Sequence, residues 1–304
     1  MSRRIFVVVV MIGLLFLPAG FGLCEEKGAT PEGAQMIEQI GQGRINWSIG
    51  YIEAKGIGAP PDRLVGKPGA RPAAIRAAEI IAKRNLLEII KGVRIDSTTV
   101  VRDFTIESDV INSQVEGFVK GAVIVGEPDY MSDGTVEVVV RMPLLGDLSR
   151  VIIPKVLERK PEVVAPPAPV AAPPVPAAPE PVAPAPAVPA PEVYTGLVVD
   201  ARGIQARPAM SPRILDEDGE EVYGALNVDR EYAVQQGMSG YARDLTAAQS
   251  NPRVTNNPIS VKGLKTAGPG RSDIVIAMTD ADRIRAASDN LTFMKKCRVM
   301  IVLD

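Results

Sequence analysis

The sequence predicts an α+β protein of two small domains, each with helices packed on a mostly antiparallel sheet, joined by a Pro/Ala-rich linker. Three observations support this prediction. Residues 161–192 consist almost entirely of Pro, Ala, Val and Glu and divide the chain. On both sides of them, short alternating apolar runs typical of strands are mixed with runs of helical periodicity. Each side also has an Asp-Gly pair between two strand-like runs, which favours a β-hairpin.

The linker, residues 161–192, contains 13 of the 27 prolines. Proline fixes φ and lacks a backbone N–H, so neither a helix interior nor a central strand can form there. We therefore expect an extended polyproline spacer between the two domains, and the sequence leaves open whether the domains touch. The spacer delimits an N-terminal domain over residues 36–158 and a C-terminal domain over residues 193–304.

Residues 1–24 have the pattern of a secretory signal peptide. Two arginines precede an apolar run over residues 5–17, which is shorter than a membrane-spanning helix requires. This signal predicts an exported, periplasmic protein. Cys24 would also allow a lipid-anchored outer-membrane form. The residue before an acylated cysteine should be small, however, and Leu23 disfavours that form.

Composition argues against several functional classes. The net charge of −2 comes without a concentrated basic patch, so no nucleic-acid binding is expected. The chain has no histidine, which removes Ser-His-Asp and Cys-His mechanisms and the commonest metal ligand. Its two cysteines are Cys24 and Cys297, and we interpret Cys297 as a half-buried small apolar residue. No catalytic residue, cofactor or metal site is predicted.

The N-terminal domain begins with a predicted strand over residues 44–54. In it Ile45, Trp47 and Ile49 alternate with polar residues, as in a half-buried strand. Residues 55–69 are rich in Gly and Pro and are interpreted as a loop. Their glycines lack the Gly-Lys-Ser/Thr ending of a phosphate-binding loop, so nucleotide binding is not expected.

A long helix is predicted from Pro72 to about Lys91, because proline suits the first turn and Gly92 follows the end. One apolar stripe predicts its buried face: Ile75, Ala78, Ala82, Leu86, Ile89 and Val93. Ile80 and Leu87 lie together on a second side, seven residues apart. Either the helix is buried on two sides, or this second side is a surface for another subunit or an envelope partner.

After this helix we expect a strand, a second helix and a hairpin. Residues 94–104 are rich in Val, Thr and Ile, which predicts the strand. Ser108 is placed to start the helix. Its inward face is predicted to comprise Val110, Ile111, Val115, Phe118 and Val119. The hairpin joins residues 122–130 to residues 135–142 across an Asp-Gly turn.

Residues 41–148 resemble a known family. The shared pattern is an early strand with an aromatic residue, the block AAIRAAEIIAKRNLLEIIKGVRIDSTT, a helix and the hairpin AVIVGEPDYMSDGTVEVVVRMPL. This pattern resembles the family of small exported lipoprotein domains. That family is similar to the N-terminal domain of flagellar assembly protein T. The resemblance implies a non-enzymatic envelope module, in some members tied to flagellar or outer-membrane structures. With the signal, it implies a bacterium with two membranes.

The C-terminal domain is predicted to mix strands with short helices. Strands are expected over residues 194–201, 273–278 and 297–303, with the last one central or tightly docked, and a hairpin over residues 211–223. Helices are expected over residues 230–236 and 241–249, and from Thr279, in a capping box with Asp282, to Asn290. The acidic residues at the hairpin turn are interpreted as a solvated turn rather than a calcium site.

Together these predictions favour a non-catalytic exported envelope protein, a structural or assembly module with protein partners in the envelope or self-association, close to a membrane or the cell wall. One alternative is a periplasmic small-ligand binding module, which a large enclosed apolar pocket would favour. Another is a hydrolase that uses carboxylates alone, with Asp103, Glu107 and Asp109 as its candidates. Charges favoured at helix starts are the simpler interpretation of those three residues.

Overall fold

The computed structural model describes residues 32–158, 194–287 and 292–304, and contacts join these described residues into one compact unit. The predicted signal, with Leu23 and Cys24, and the linker at residues 161–192 lie outside the described residues and remain predictions. The α+β fold class is confirmed, because helices pack with two separate sheets. None of the described helices is long and apolar enough to cross a membrane.

The N-terminal domain is an antiparallel five-stranded sheet with its longest helix packed across one face. Its strands are β1 (Ile37–Ile40), β2 (Gly43–Asn46), β3 (Tyr51–Gly58), β4 (Val123–Tyr130) and β5 (Val136–Pro143). Its helices are α1 (Ala70–Lys91), α2 (Val101–Glu107), α3 (Asp109–Lys120) and α4 (Asp147–Glu158). The strand order is β1-β2-β3-β5-β4, and every pair is antiparallel, as predicted.

Helix α1 approaches β3 closely because small residues line both surfaces. Ala74, Ala78 and Ala82 are fully buried and face Gly56 and Gly58. A Cβ atom on Gly56 would lie 2.3 Å from the carbonyl oxygen of Ala78 and 2.3 Å from the backbone nitrogen of Ala82. A glycine inside a strand therefore marks the close approach of another backbone.

The first predicted strand is in fact two strands joined by a turn. β2 ends at Asn46 and β3 begins at Tyr51. The Asn46 Oδ1 closes the turn by accepting hydrogen bonds from the backbone N–H groups of Ser48 and Ile49, at 3.1 and 3.0 Å. Ile49 is consequently 57% exposed and not on the buried face. β3 also continues through residues 55–58, so the predicted loop begins too early.

The prediction of a strand over residues 94–104 is wrong. Arg94 and Val100 form only a single antiparallel bridge, and α2 begins immediately afterwards. The Asp103 carboxylate accepts a hydrogen bond from the backbone N–H of Val100 at 2.8 Å, which satisfies a donor at the start of the helix. This local interaction, together with packing, outweighs the β propensity of the segment.

Helix α3 and the hairpin after it follow the prediction. Ser108 is the N-cap residue, and its Oγ accepts a hydrogen bond from the backbone N–H of Ile111 at 3.4 Å. Ile111, Val115 and Val119 are buried, whereas Val110 is 68% exposed, so its assignment to the inward face is wrong. β4 and β5 pair as expected. Helix α4, which follows them, is absent from the prediction.

The C-terminal domain is a seven-stranded sheet flanked by short helices. Its strands are β6 (Gly196–Asp200), β7 (Ile214–Leu215), β8 (Glu221–Tyr223), β9 (Gly240–Ala242), β10 (Pro258–Ala267), β11 (Asp273–Ile276) and β12 (Val299–Val302). Its helices are α5 (Arg230–Gln236), α6 (Leu245–Gln249), α7 (Met278–Ala286) and α8 (Thr292–Lys295). The strand order is β8-β7-β11-β10-β6-β12-β9.

This second sheet is mixed, so the prediction of a mostly antiparallel sheet is wrong for the C-terminal domain. Four of its strand pairs are parallel: β6 with β10, β7 with β11, β6 with β12, and β9 with β12. Parallel neighbours need crossover connections instead of tight hairpins, and the short helices occur in these connections. β12 lies between β6 and β9, which confirms its predicted central position.

Two local predictions in the C-terminal domain also fail. Helix α7 begins at Met278 after Ala277, with no side-chain cap, so the capping box from Thr279 to Asp282 does not form. Residues 241–249 are divided between β9 and α6 instead of forming one helix. The hairpin of β7 with β8 and the helix α5, which ends at its predicted residue, are confirmed.

The two domains pack directly against each other. Backbone hydrogen bonds cross the boundary from Met210 N to Arg94 O at 3.0 Å and from Ser211 N to Ile95 O at 2.7 Å. A single cluster of buried apolar residues includes members of both domains. The sequence left open whether the domains touch, and the described residues of the two domains are in direct contact.

Candidate functional site

A buried carboxylate ties the two domains together. Asp273 in β11 is fully buried, and its Oδ2 accepts hydrogen bonds from Arg213 Nη2 at 2.5 Å and Nε at 3.1 Å. The same oxygen accepts a hydrogen bond from Ser97 Oγ of the N-terminal domain at 2.6 Å. Next to it, the backbone N–H of Gly270 donates to the carbonyl oxygen of Ser97 at 2.6 Å. These partners from both domains assign Asp273 a structural role.

A cavity of about 60 Å³ lies at the same domain boundary. The N-terminal domain lines it with the turn after β2 and the start of α4, and the C-terminal domain with the end of α5 and with β9. The rings of Trp47 and Tyr241 meet edge-on there, with centroids 5.8 Å apart. Ser48 Oγ donates to the carbonyl oxygen of Tyr241 at 2.6 Å. Since one water molecule needs about 10–15 Å³, the cavity accommodates a few atoms and not a metabolite.

Arg253 places a positive charge in the wall of this cavity. Its Nε, Nη1 and Nη2 donate to the backbone carbonyl oxygens of Cys297, Gln236 and Gly237 at 2.8, 2.8 and 2.5 Å. Burial lowers the pKa of its guanidinium, although arginine remains charged at any physiological pH. Among the described residues no carboxylate forms an ion pair with Arg253.

The ionisable groups closest to Arg253 are neutral. Burial raises the pKa of Tyr241 to about 12 and the pKa of the Cys297 thiol to about 11. Burial also raises the pKa of Tyr223 well above its usual value. Ser239 lines the same cavity, but its Oγ is enclosed by protein and lies close enough to the Tyr241 hydroxyl to oppose the rise in the pKa of that group. The wall of the cavity therefore contains a buried guanidinium that is held by backbone carbonyl oxygens and has no carboxylate partner among the described residues.

A second concave surface lies on the open face of the five-stranded sheet. One row of side chains crosses all five strands: Gln39, Arg44, Glu53, Arg141 and Val123. Glu53 is 4% exposed and accepts hydrogen bonds from Arg44 Nε and Arg141 Nε, each at 2.6 Å. The Arg141 guanidinium also lies 4.3 Å from the centre of the Tyr51 ring. The groove around this row has a volume of about 490 Å³.

The carboxylate at the centre of this groove is fully engaged by its arginine neighbours. Both oxygens of Glu53 are held by arginine N–H groups, so its carboxylate is not free to take a proton from a substrate. Within residues 32–158, 194–287 and 292–304, no group of three or more His, Cys, Asp or Glu side chains could hold a metal ion.

The structure distinguishes the two residues predicted as a partner surface on α1. Ile80 is 59% exposed, whereas Leu87 is half-buried and packs against the apolar core. The predicted inward stripe is confirmed where Ala78, Ala82 and Leu86 are fully buried. Helix α1 is therefore not buried at Ile80, and only Ile80 is available to a partner without disturbing the core.

The carboxylates considered for a hydrolase lie at helix ends. The Asp103 carboxylate accepts a hydrogen bond from the backbone N–H of Val100 at the start of α2, and Asp109 lies in the first turn of α3. Glu107 is the last residue of α2. Asp103 and Asp109 agree with the simpler interpretation, in which charges at a helix start stabilise its N-terminus, whereas Glu107 lies at the C-terminal end of α2.

The acidic hairpin turn is only partly solvated. Asp216 is 2% exposed, and its Oδ1 accepts hydrogen bonds from the backbone N–H groups of Asp218 and Glu220 at 3.0 and 2.8 Å. Its Oδ2 pairs with Arg285 of α7 at 2.7 Å. The Arg285 side chain is 41% exposed, and this contact fixes α7 against the turn.

Sequence reasoning missed Arg253, Ser239 and Glu53. Arg253 lies between α6 and β10, outside any periodic run, and no local pattern connects it with Ser239. Glu53 occurs in a predicted strand between apolar residues, but its pairing with Arg141 depends on the register of strands far apart in the sequence. The sequence offered one signal for this site, which is a charged residue, Glu53, between apolar residues of a predicted strand.

The fold and these sites define a two-domain α+β protein with a polar domain junction and an ion-paired sheet face. Residues 196–304 match the family model of the second domain of Treponema pallidum Tp0624. This similarity covers the C-terminal domain, including all strands of its mixed sheet. No curated protein matches the chain.

Proposed function

We propose that the protein is a non-catalytic exported envelope protein, a structural or assembly module that binds a protein partner through the open face of its N-terminal sheet. The observation that supports this proposal most directly is the ion-paired row across that face. Glu53 fixes Arg44 and Arg141 in place, and side chains that are ordered in advance lower the entropic cost of binding. Arginine and tyrosine are also enriched in protein interfaces.

The exposed charge of the face indicates the chemistry of its partner. The side chains of Arg44, Arg141 and Lys55 are 37%, 42% and 55% exposed, whereas Glu53 is 5% exposed. Lys55 pairs with Glu137, whose side chain is only 18% exposed. The positively charged side chains therefore reach solvent, whereas the carboxylates that pair with them are largely buried. This arrangement suits a partner that presents carboxylates, because complementary charge favours encounter and orientation.

The structure gives less support to the alternatives. A small-ligand binding module would need an enclosed pocket of about 300 Å³ or more. The cavity at the domain boundary is much smaller, and the groove of about 490 Å³ on the sheet face is open to solvent. A carboxylate hydrolase would need free acids, and the ones considered lie at helix ends. The sequence-based expectations of export and of an envelope location support the proposed setting.

Site-specific photo-crosslinking in cells tests the proposal. A benzophenone amino acid would replace Val123 in the groove row, Ile80 on α1, or Leu264 on β10, which are 61%, 59% and 48% exposed. We expect a discrete adduct with one envelope protein at Val123 and none at the Leu264 control.

If an adduct forms at Ile80 alone, the protein still has an assembly role, but its partner binds to α1 and not to the open face of the sheet. The same weak adducts at all three positions, or no protein adduct at any, would contradict the proposal. Ligand-binding and hydrolase assays would then follow.

A further inference from the structure

Strand register divides the open face of the N-terminal sheet into three rows of side chains. Residues directly opposite each other on neighbouring strands point to the same face. The basic row comprises Gln39, Arg44, Glu53, Arg141 and Val123. The middle row comprises Lys55, Val139 and Val125, and the acidic row comprises Ile57, Glu137 and Asp129.

Opposite charges reach solvent at the two ends of this face. In the basic row the side chains of Arg44 and Arg141 are 37% and 42% exposed, whereas that of Glu53 is 5% exposed. In the acidic row Asp129 is exposed, and the side chain of Glu137 is 18% exposed. At about 3.4 Å per residue, the basic and acidic rows are about 14 Å apart. The face therefore has a positive end and a negative end.

Apolar side chains lie between and beside the charged groups. Val125 and Val139 of the middle row are half-buried. Val123 at the basic end and Ile57 at the acidic end are 61% and 50% exposed. A surface that covered these four side chains would remove apolar area from water, which is the main favourable term in most associations between proteins.

We infer that this face binds the same face of a second copy of the chain, as a two-fold symmetric dimer. The inference rests on the proposed function, because it identifies the partner of the surface proposed there. A two-fold axis that crosses the strands along the middle row brings the basic row of each copy onto the acidic row of the other. The face is thus complementary to itself, as a two-fold interface requires. An axis parallel to the strands would instead place the two basic rows together, which like charges oppose.

The strand lengths set the size of such an interface. β3, β4 and β5 have eight residues each, and β1 and β2 have four residues each. At about 3.4 Å per residue and about 4.8 Å between strands, the face covers about 500 Å² in each copy. The dimer would bury about 1,000 Å² in total, which is at the lower limit for a specific interface. We therefore expect a weak dimer whose population depends on protein concentration.

Two substitutions of Val123 test the dimer and its charge arrangement. The two-fold arrangement lays β4 on β4 of the second copy, which places Val123 near Asp129 of that copy. Sedimentation of the purified protein measures the dissociation constant of the dimer. Val123→Asp should raise this constant by about tenfold or more, because like charges then meet twice in each dimer. Val123→Arg, at the same exposed position, should leave it within about threefold of the wild type or lower it.

A mixture of two variants tests which rows meet. Asp129→Lys should also weaken the dimer, because its positive charge faces the basic row of the other copy. When this variant is mixed with Val123→Asp, one contact of the mixed dimer joins the new carboxylate to the new lysine, and the symmetric contact keeps its wild-type residues. The mixed dimer should therefore be tighter than the dimer of either variant alone. A mixed dimer that is no tighter would overturn the inference.

Two further outcomes would overturn the inference: a wild-type protein that stays monomeric at about 1 mM and low ionic strength, or a dimer that both Val123 substitutions weaken equally. Photo-crosslinking at Val123 separates such a failure from a failure of the proposed function. An adduct with a second copy of the chain supports both. An adduct with a different envelope protein overturns the dimer and leaves the proposed function standing, whereas the absence of any protein adduct contradicts both.

Discussion

The Gly56→Ala substitution is expected to destabilise the protein by about 3 kcal/mol or more, at the upper end of overpacking effects. The new methyl group would lie 2.3 Å from the Ala78 carbonyl oxygen and 2.3 Å from the Ala82 nitrogen. Both are backbone atoms of α1, so no side-chain rotation can make room. The helix must move away from the sheet, which opens the core of the N-terminal domain. Chemical denaturation measures the loss as a lower midpoint at an unchanged slope.

Gly117→Ala is the matched control for this effect. Gly117 is exposed in α3, and nothing lies within 4 Å of the position of its missing Cβ. Alanine is a better helix former than glycine, so this variant should gain about 0.5–1 kcal/mol. A loss of less than about 0.5 kcal/mol in Gly56→Ala, within the range of ordinary surface substitutions, would show that α1 does not rest on β3 as described.

The Asp273→Ala substitution is expected to cost about 2–4 kcal/mol. It removes the carboxylate that Arg213 and Ser97 share, and leaves two polar groups at the domain boundary without their acceptor. Breaking a fully buried ion pair costs more, but the Arg213 side chain is 37% exposed, and solvent recovers part of the loss. The free energy of unfolding in denaturant measures the effect.

Asp282→Ala separates this effect from the simple loss of a charge. The Asp282 side chain is 70% exposed, and its oxygen lies 3.8 Å from Arg285 in a surface pair. Its removal should change stability by less than about 0.5 kcal/mol. If the Asp273 and Asp282 variants are equally stable, the carboxylate of Asp273 does not hold the domain boundary together.

Features encoded by local periodicity could be predicted from the sequence. The buried stripe of α1 is visible because Ala78, Ala82 and Leu86 repeat at helical spacing. The hairpin of β4 with β5 is visible because an Asp-Gly pair separates two alternating runs. The N-cap at Ser108 follows from its hydroxyl before an apolar helical run.

Features that depend on contacts distant in the sequence could not be predicted. Gly56 and Gly58 suggest a loop until α1 is placed against them. The packing of the domains requires that polar groups such as Ser97 and Asp273, 176 residues apart, meet in space. The cavity with Arg253 likewise exists only after both domains have come together. A proline-rich segment indicates a stiff connection, but it does not determine whether its two ends return to one surface.

Cleavage of the linker tests the packing of the two domains most directly. A specific protease site would be inserted after Ala178, within the Pro/Ala-rich segment, and the purified protein would be cut to completion. We expect the two fragments to elute together in size-exclusion chromatography at the volume of the uncut protein, because buried apolar residues and hydrogen bonds join the domains. In the Asp273→Ala background the same fragments should separate more readily. Immediate separation of the wild-type fragments into two smaller folded species would contradict the account and restore the linker as a spacer between independent domains.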